Sequence, residues 1–232
     1  MTSALQGIIF DFDGVIADSE PLHLRAYQQA LVEEGIELSR EDYFNRYLGY
    51  DDVGMFEALA RDRGLGWSAR HVTALVARKG EKLQALLKED VLFPGAAAFV
   101  RTAASEVPIA IASGALRHEI VQIVDGAGLA SLFATIVASG DTPESKPSPG
   151  PYLLAFEQLQ RSSARRLDAA KVVAIEDSRW GLESAKGAGL RCVGVTTSYP
   201  AAELEAAELV VDGLESLTIE MLDRLVTNHE YA

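Results

Sequence analysis

The chain has 232 residues, is 48% hydrophobic and 7% aromatic, and carries a formal net charge of −13. That length supports one full core, or a core plus a small second domain, built mainly from Ala, Val, Leu and Ile. So acidic a surface repels nucleic acid and anionic membrane, which excludes both as expected partners, and any anion site must make its own positive field locally.

The first element is the run Ile8-Ile9-Phe10, read as a buried strand that ends abruptly in Asp11-Phe12-Asp13-Gly14. In an open parallel sheet, ligands bind just beyond the carboxyl ends of the strands. Gly14 lets the backbone turn sharply and approach a ligand closely. Two acids this near cannot both be buried and charged unless something cationic sits between them, and a hard divalent cation is the simplest candidate. Alone, Asp-x-Asp reads as a polar strand end; three later strand ends change that reading.

Asp18-Ser19-Glu20-Pro21 is a helix start, with Asp18 or Ser19 as cap and Pro21 in the first turn. From there to about Asp90 the pattern is helical. Leu22, Ala26, Ala30 and Leu31 mark one amphipathic helix stopped by Gly35. Ser39 begins another, and Met55, Leu59 and Ala60 lie on a third. Val72, Leu75, Val76, Leu83, Leu86 and Leu87 mark a longer one, with Gly80 as a candidate break. A helical module of about 70 residues is a plausible small domain.

After Leu92-Phe93-Pro94-Gly95, strands and helices alternate. Strands are expected at Ile109–Ala112, Thr135–Ala138, Lys171–Ile175, Cys192–Val195 and Leu209–Val211. Helices are expected at Ala115–Val124, Tyr152–Gln160, Trp180–Lys186 and Leu217–Val226. This alternation predicts a parallel sheet with helices on both faces. The first strand joins that sheet, so the helical module is an insertion on two linkers, an arrangement that permits hinged closure. The single cysteine, Cys192, reads as a buried strand thiol and excludes an internal disulfide. No signal peptide is visible at Met1–Gln6, and no apolar stretch reaches the ~20 residues of a membrane span. A soluble, cytoplasmic, monomeric protein is expected.

Three further strand ends carry chemistry. Ser113-Gly114 places a hydroxyl and a flexible backbone N–H before a helix, which suits a phosphate; by itself it is also a simple turn. Lys146 sits in a loop stiffened by Pro147, Pro149 and Pro151, with Gly150 as helix cap and Pro151 at the first helical position. A lysine so held can neutralise carboxylates and a phosphoryl oxygen, although most lysines are solvated. Glu176-Asp177 ends another buried strand and suits metal coordination and its support, with Ser178 as cap of the next helix.

In order and spacing these four strand ends resemble the motifs of the haloacid dehalogenase-like superfamily. The insertion after the first motif, opening Asp18-Ser19-Glu20-Pro21-Leu22-His23, is similar to the subgroup of small phosphatases and beta-phosphoglucomutase. The resemblance implies a Rossmann-like α/β core, residues 1–17 and 92–232, with an inserted all-α cap, residues 18–91. It also implies an Asp11 nucleophile that forms an aspartyl-phosphate and an Asp13 general acid–base. Mg²⁺ would be held by Asp11, the Asp13 carbonyl and Asp177, with Glu176 nearby. Ser113, Gly114 and Lys146 would hold the phosphoryl oxygens. In the cap, His23 is expected to hydrogen-bond Asp13, while Gly49 and Lys79, with Arg117 of the core, are candidates for substrate contact.

Asp13 favours transfer from an oxygen ester, since dehalogenases of the superfamily lack the second aspartate. Three departures stand out. Gly150 replaces the usual Asp, Asp52 stands where the mutase has its phosphate-anchoring arginine, and Arg117 stands where it has asparagine. A negative charge where a second phosphate must bind is unfavourable. A phosphatase of a small phosphorylated metabolite is therefore expected, with a sugar-phosphate mutase as the alternative enzyme and a non-catalytic binding protein as the alternative class.

Overall fold

The computed structural model describes residues 4–48, 50–87 and 91–227. In chain order, β1 (Gly7–Phe10) precedes α1 (Glu20–Leu31), α2 (Arg40–Asp42), α3 (Asp52–Arg63) and α4 (Ala69–Leu86). Then come α5 (Ala96–Glu106), β2 (Ile109–Ala112), α6 (Arg117–Gly126), β3 (Phe133–Val137) and α7 (Gly150–Ser162). The chain closes with β4 (Val172–Glu176), α8 (Arg179–Gly187), β5 (Arg191–Val195), β6 (Leu209–Val211) and α9 (Ile219–Thr227). The chain divides into two compact units, Met1–Asp18 with Asp90–Ala232, and Ser19–Glu89.

In the first unit the strands form a parallel sheet in the order β3-β2-β1-β4-β5-β6. β1, β2 and β4 are buried along their whole length, as strands covered by helices on both faces must be. On one face Tyr152, Ala155 and Leu159 of α7 and Leu182 and Ala185 of α8 pack on Ile9, Ala110, Ala174 and Cys192. On the other, the Phe10 ring meets Phe99 of α5 and Phe133 edge-on, with centroids 6.1 and 6.3 Å away. Phe10 pairs with Ile111 on one side and Ile175 on the other. That register brings the ends of β1, β2 and β4 to one level. The chain order reverses across β1, which makes the gap beyond β1 and β4 a topological switch point.

Several boundaries differ from expectation, each for a local reason. β3 begins two residues before Thr135, because Phe133 packs on Phe10, and ends at Val137, where the Ala138 N–H turns to Asp141. α6 starts at Arg117, since the Ser113 hydroxyl takes the Ala115 N–H and holds that segment as a turn. α7 starts one residue early, with Pro149 at the cap and Gly150 and Pro151 in its first turn.

The second unit is helical. Leu24, Tyr27, Leu31, Tyr43, Tyr47, Phe56, Leu59, Val72 and Leu75 form its core. Side chains cap its helices: Ser39 accepts from the Asp42 N–H, Asp51 from Gly54 and Ser68 from His71. α2 continues into a π-helical turn over Tyr43–Tyr47. Pro21 lies in the first turn of α1 after Ser19, as its fixed φ favours. Gly80 does not interrupt α4, whose buried Val72, Leu75, Lys79 and Leu83 run through it on one face. Among the described residues, no helix is long and apolar enough to cross a membrane.

Candidate active site

Each part of the site begins where a strand stops. Asp11 follows β1 and continues its ladder, its N–H donating to the Ile175 carbonyl at 2.9 Å. The chain then turns tightly, with the N–H groups of Ile16 and Ala17 returning to the Phe12 carbonyl. Gly14 has φ +76°, and a Cβ there would collide with the Asp177 carboxylate. Glycine is thus required twice, by conformation and by space.

Past β4, Asp11, Glu176 and Asp177 bring carboxylate oxygens within 4.8 Å of one another. Lys146 Nζ lies 2.9 Å from Asp11 Oδ1 and 2.6 Å from Glu176 Oε1. Glu176 is 0% exposed, and both its oxygens are engaged. Oε1 accepts from Lys146 and from the Tyr152 hydroxyl at 2.8 Å; Oε2 accepts from the Asp177 N–H and the Ser178 hydroxyl, each at 3.2 Å. The Lys146 ammonium also sits 5.0 Å over the Tyr152 ring. Gly181 clears the space, since a Cβ there would strike the Glu176 carboxylate. Ser178 caps α8, its hydroxyl accepting from the Gly181 N–H at 3.1 Å, as expected from the sequence.

Burial, then the neighbouring Glu176 charge, pushes the Asp11 carboxyl up, against the pull of Lys146. Burial, then Asp11 and Glu176, pushes Asp177 up as well. For Lys146, burial opposes the charge, but Asp11 and Glu176 outweigh it and hold the ammonium well above its usual range. Asp11 Oδ1 has its ion pair with Lys146 but no aligned hydrogen bond. An oxygen-rich cluster whose members burial drives toward neutrality fits a divalent metal ion, which would restore their charge.

At the end of β2, the Ser113 N–H donates to the Val137 carbonyl at 2.9 Å, and the Ser113 side chain is buried. A Cβ at Gly114 would meet nothing within 4 Å, so its backbone is open to approach. Arg117 is engaged elsewhere. Its guanidinium pairs with Asp141 at 2.5 Å and donates to the Ile136 carbonyl at 2.8 Å, bracing the loop after β3.

In the helical unit, Lys79 is 1% exposed. Its ammonium lies 2.7 Å from Asp52 Oδ1 and 3.1 Å from His23 Nδ1. The Tyr27 hydroxyl also donates to Asp52 Oδ1, at 2.6 Å. Burial, then the Lys79 charge, lowers His23 to about 4, so its ring is neutral near pH 7. Gly49 lies outside the described residues.

Tyr152, Gly181, Thr197 and Ser198 were not singled out from the sequence as parts of a site. The hydroxyl run Thr196-Thr197-Ser198 directly after a strand was a usable signal. Tyr152 stands at the Tyr of the Lys-Pro-x-Pro-Asp-x-Tyr pattern that the Lys146 loop resembles, which was a usable signal for it.

The haloacid dehalogenase-like hydrolase family matches residues 5–189. Phosphoglycolate phosphatase of Yersinia pseudotuberculosis is 29% identical over 203 residues, 84% of this chain and 83% of its own. Protein CbbY of Rhodobacter capsulatus is 29% identical over 233 residues, covering 95% and 99%. The crystal structure of a CbbY mutant from Rhodobacter sphaeroides with xylulose-(1,5)bisphosphate superposes with a TM-score of 0.80, at 27% identity, over 94% of this chain and 99% of that one. With a family match over most of its length, and carboxylates and a lysine gathered at its sheet's switch point, the chain belongs to the haloacid dehalogenase-like hydrolases.

Proposed function

We propose that the protein is an Mg²⁺-dependent phosphatase that hydrolyses a small phosphomonoester of the sugar-phosphate or phosphoglycolate type through an aspartyl-phosphate on Asp11. The observation that carries this reading is the division of labour among the acids. Glu176 is saturated by four protein donors, including Lys146, which leaves Asp11 and Asp177 as the carboxylates able to take a cation. Asp11, the Asp13 carbonyl and Asp177 would hold Mg²⁺, which when bound offsets their charge and polarises a phosphoryl oxygen.

The chain's own groups do the rest. Lys146, the Ser113 hydroxyl and the Gly114 N–H bind the phosphoryl oxygens and hold phosphorus before Asp11. Lys146 also favours the ionised form of Asp11 against burial, and only the carboxylate is a nucleophile. An Asp11 oxygen forms a bond to phosphorus as the ester oxygen leaves with the bonding pair and takes a proton from Asp13. Asp13, now a base, takes a proton from water as that water attacks phosphorus. The P–O bond to Asp11 then breaks, returning the free carboxylate and inorganic phosphate.

The names of the relatives support phosphoglycolate and sugar phosphates as the substrate range. The test is phosphate release from 2-phosphoglycolate and from pentose and hexose mono- and bisphosphates, with and without Mg²⁺. At least one should be hydrolysed only with the metal, and Asp11→Asn should reduce that turnover to a trace while keeping the fold. Substantial activity in the variant would overturn the nucleophile assignment.

A further inference from the structure

Resting on that reading of the metal site, we propose that Thr197 and Ser198, in the loop after β5, are positioning residues that lock the Asp11–Gly14 turn and Asp177 into one cradle for the cation. Three contacts converge there. The Thr197 hydroxyl donates to the Gly14 carbonyl, 183 residues away in sequence. The Ser198 hydroxyl and the Asp177 carboxylate face the same point beside Gly14, and the hydroxyl favours the ionised carboxylate. A Cβ at Gly14 would lie 2.8 Å from Ser198 Oγ and would collide with Asp177, so hydroxyl, carboxylate and turn meet at a single point.

The loop that carries both hydroxyls is fixed at each end. The Thr196 N–H donates to Val211 of β6 at 3.0 Å. At the other end, the Tyr199 ring packs edge-on against Trp180 of α8, with centroids 6.0 Å apart. Trp180 lies in the first turn of the helix that follows Asp177, and the Arg179 guanidinium sits over its ring, 4.4 Å from the centroid. The loop thereby links β5, β6 and α8 to the turn after β1. Two of the three proposed metal donors, the Asp177 carboxylate and the Asp13 carbonyl, are fixed by this linkage through Ser198 and through Gly14, the residue after Asp13.

Groups that orient metal-binding carboxylates commonly change metal affinity by about 10- to 100-fold when removed. The experiment is titration of metal-free protein with Mn²⁺, following free Mn²⁺ by electron paramagnetic resonance, with Mg²⁺ as competitor. Ser198→Ala and Thr197→Val should each weaken binding at least ~10-fold. Ser198→Thr, which keeps the hydroxyl, should bind as the wild type does. The melting temperature of the metal-free variants should stay near that of the wild type, because Ser198 is exposed and its loop keeps its backbone anchors. Variants that melt earlier yet bind Mn²⁺ with wild-type affinity would show a structural role alone and overturn the inference. Equal affinity and equal melting would overturn it too, leaving the metal site intact. A wild-type protein that takes up no Mn²⁺ would overturn the metal site and this inference together.

Discussion

Asp11, 8% exposed, is kept 2.9 Å from the Lys146 ammonium, whereas Asp13, two residues on, is only partly buried in the turn. The first environment suits a group that must be charged to attack; the second suits one that must exchange protons with an ester oxygen and then with water. Asp13→Asn should therefore slow turnover of a sugar phosphate by ~100-fold or more, as loss of general acid–base catalysis does. The effect should depend on the leaving group. p-Nitrophenolate departs without needing a proton, so single-turnover phosphorylation of the enzyme by p-nitrophenyl phosphate should suffer much less. Equal losses with both esters would remove Asp13 from the acid role. Asp11, Glu176 and Asp177 could be singled out in the sequence because charge directly abutting an apolar run is costly unless something uses it, and Lys146 because three prolines stiffen its loop. Ser198 could not, since a serine in a loop is ordinary until folding sets it beside Gly14 and Asp177; for Tyr152 the pattern marks the position, but only the fold sets its hydroxyl against Glu176.

Among the elements, α1, α3 and α4 share a partly buried polar link: His23 of α1, Asp52 of α3 and the buried Lys79 of α4. His23 falls from 6.5 to about 4 on folding, first through burial and then through Lys79. Because the folded value is the lower one, the unfolded chain binds the proton more tightly between these limits. The contribution of His23 to stability is thus complete above about pH 6.5 and is lost as pH falls toward 4. At most it amounts to ~3 kcal/mol, at ~1.4 kcal/mol per unit. His23→Gln, which can still accept from Lys79, should make the loss of helical-unit stability between pH 7 and 4.5 visibly shallower. Trp67, which packs edge-on against Phe56 in that unit, reports its unfolding by fluorescence in a Trp180→Phe background. An unchanged pH slope would show that other groups govern the acid limit. The helical character of this stretch was legible from its 3.6-residue apolar period, but the continuity of α4 through Gly80 was not. Glycine costs a helix only about 1 kcal/mol, which a buried face on either side outweighs.

For the whole molecule, the alternation of apolar runs with amphipathic helices made the parallel α/β sheet legible, because strands covered on both faces cannot hide as alternating patterns. The strand order, the register at Phe10 and the exhaustion of Glu176 by four donors were not, since each depends on contacts between segments far apart in sequence. The same holds for the choice between phosphatase and mutase. The two chemistries share the phosphorylated aspartate and differ in what reaches it next. A mutase must bind a bisphosphate firmly, keep it through a reorientation and exclude water; a phosphatase has only to admit water. Asp52, which the resemblance sets against the mutase's arginine, is paired with Lys79 at 2.7 Å, so that buried ammonium is already neutralised by a carboxylate. Any phosphate binding at this pair would meet the carboxylate as well as the cation, and like charge opposes its binding. The chain's net charge of −13 adds a long-range repulsion in the same direction. With beta-glucose 1-phosphate, Mg²⁺ and a trace of the 1,6-bisphosphate, the enzyme should therefore form little glucose 6-phosphate, and whatever phosphate Asp11 accepts should appear as inorganic phosphate. Efficient conversion to glucose 6-phosphate by the unmodified protein, with little free phosphate, would make it a mutase.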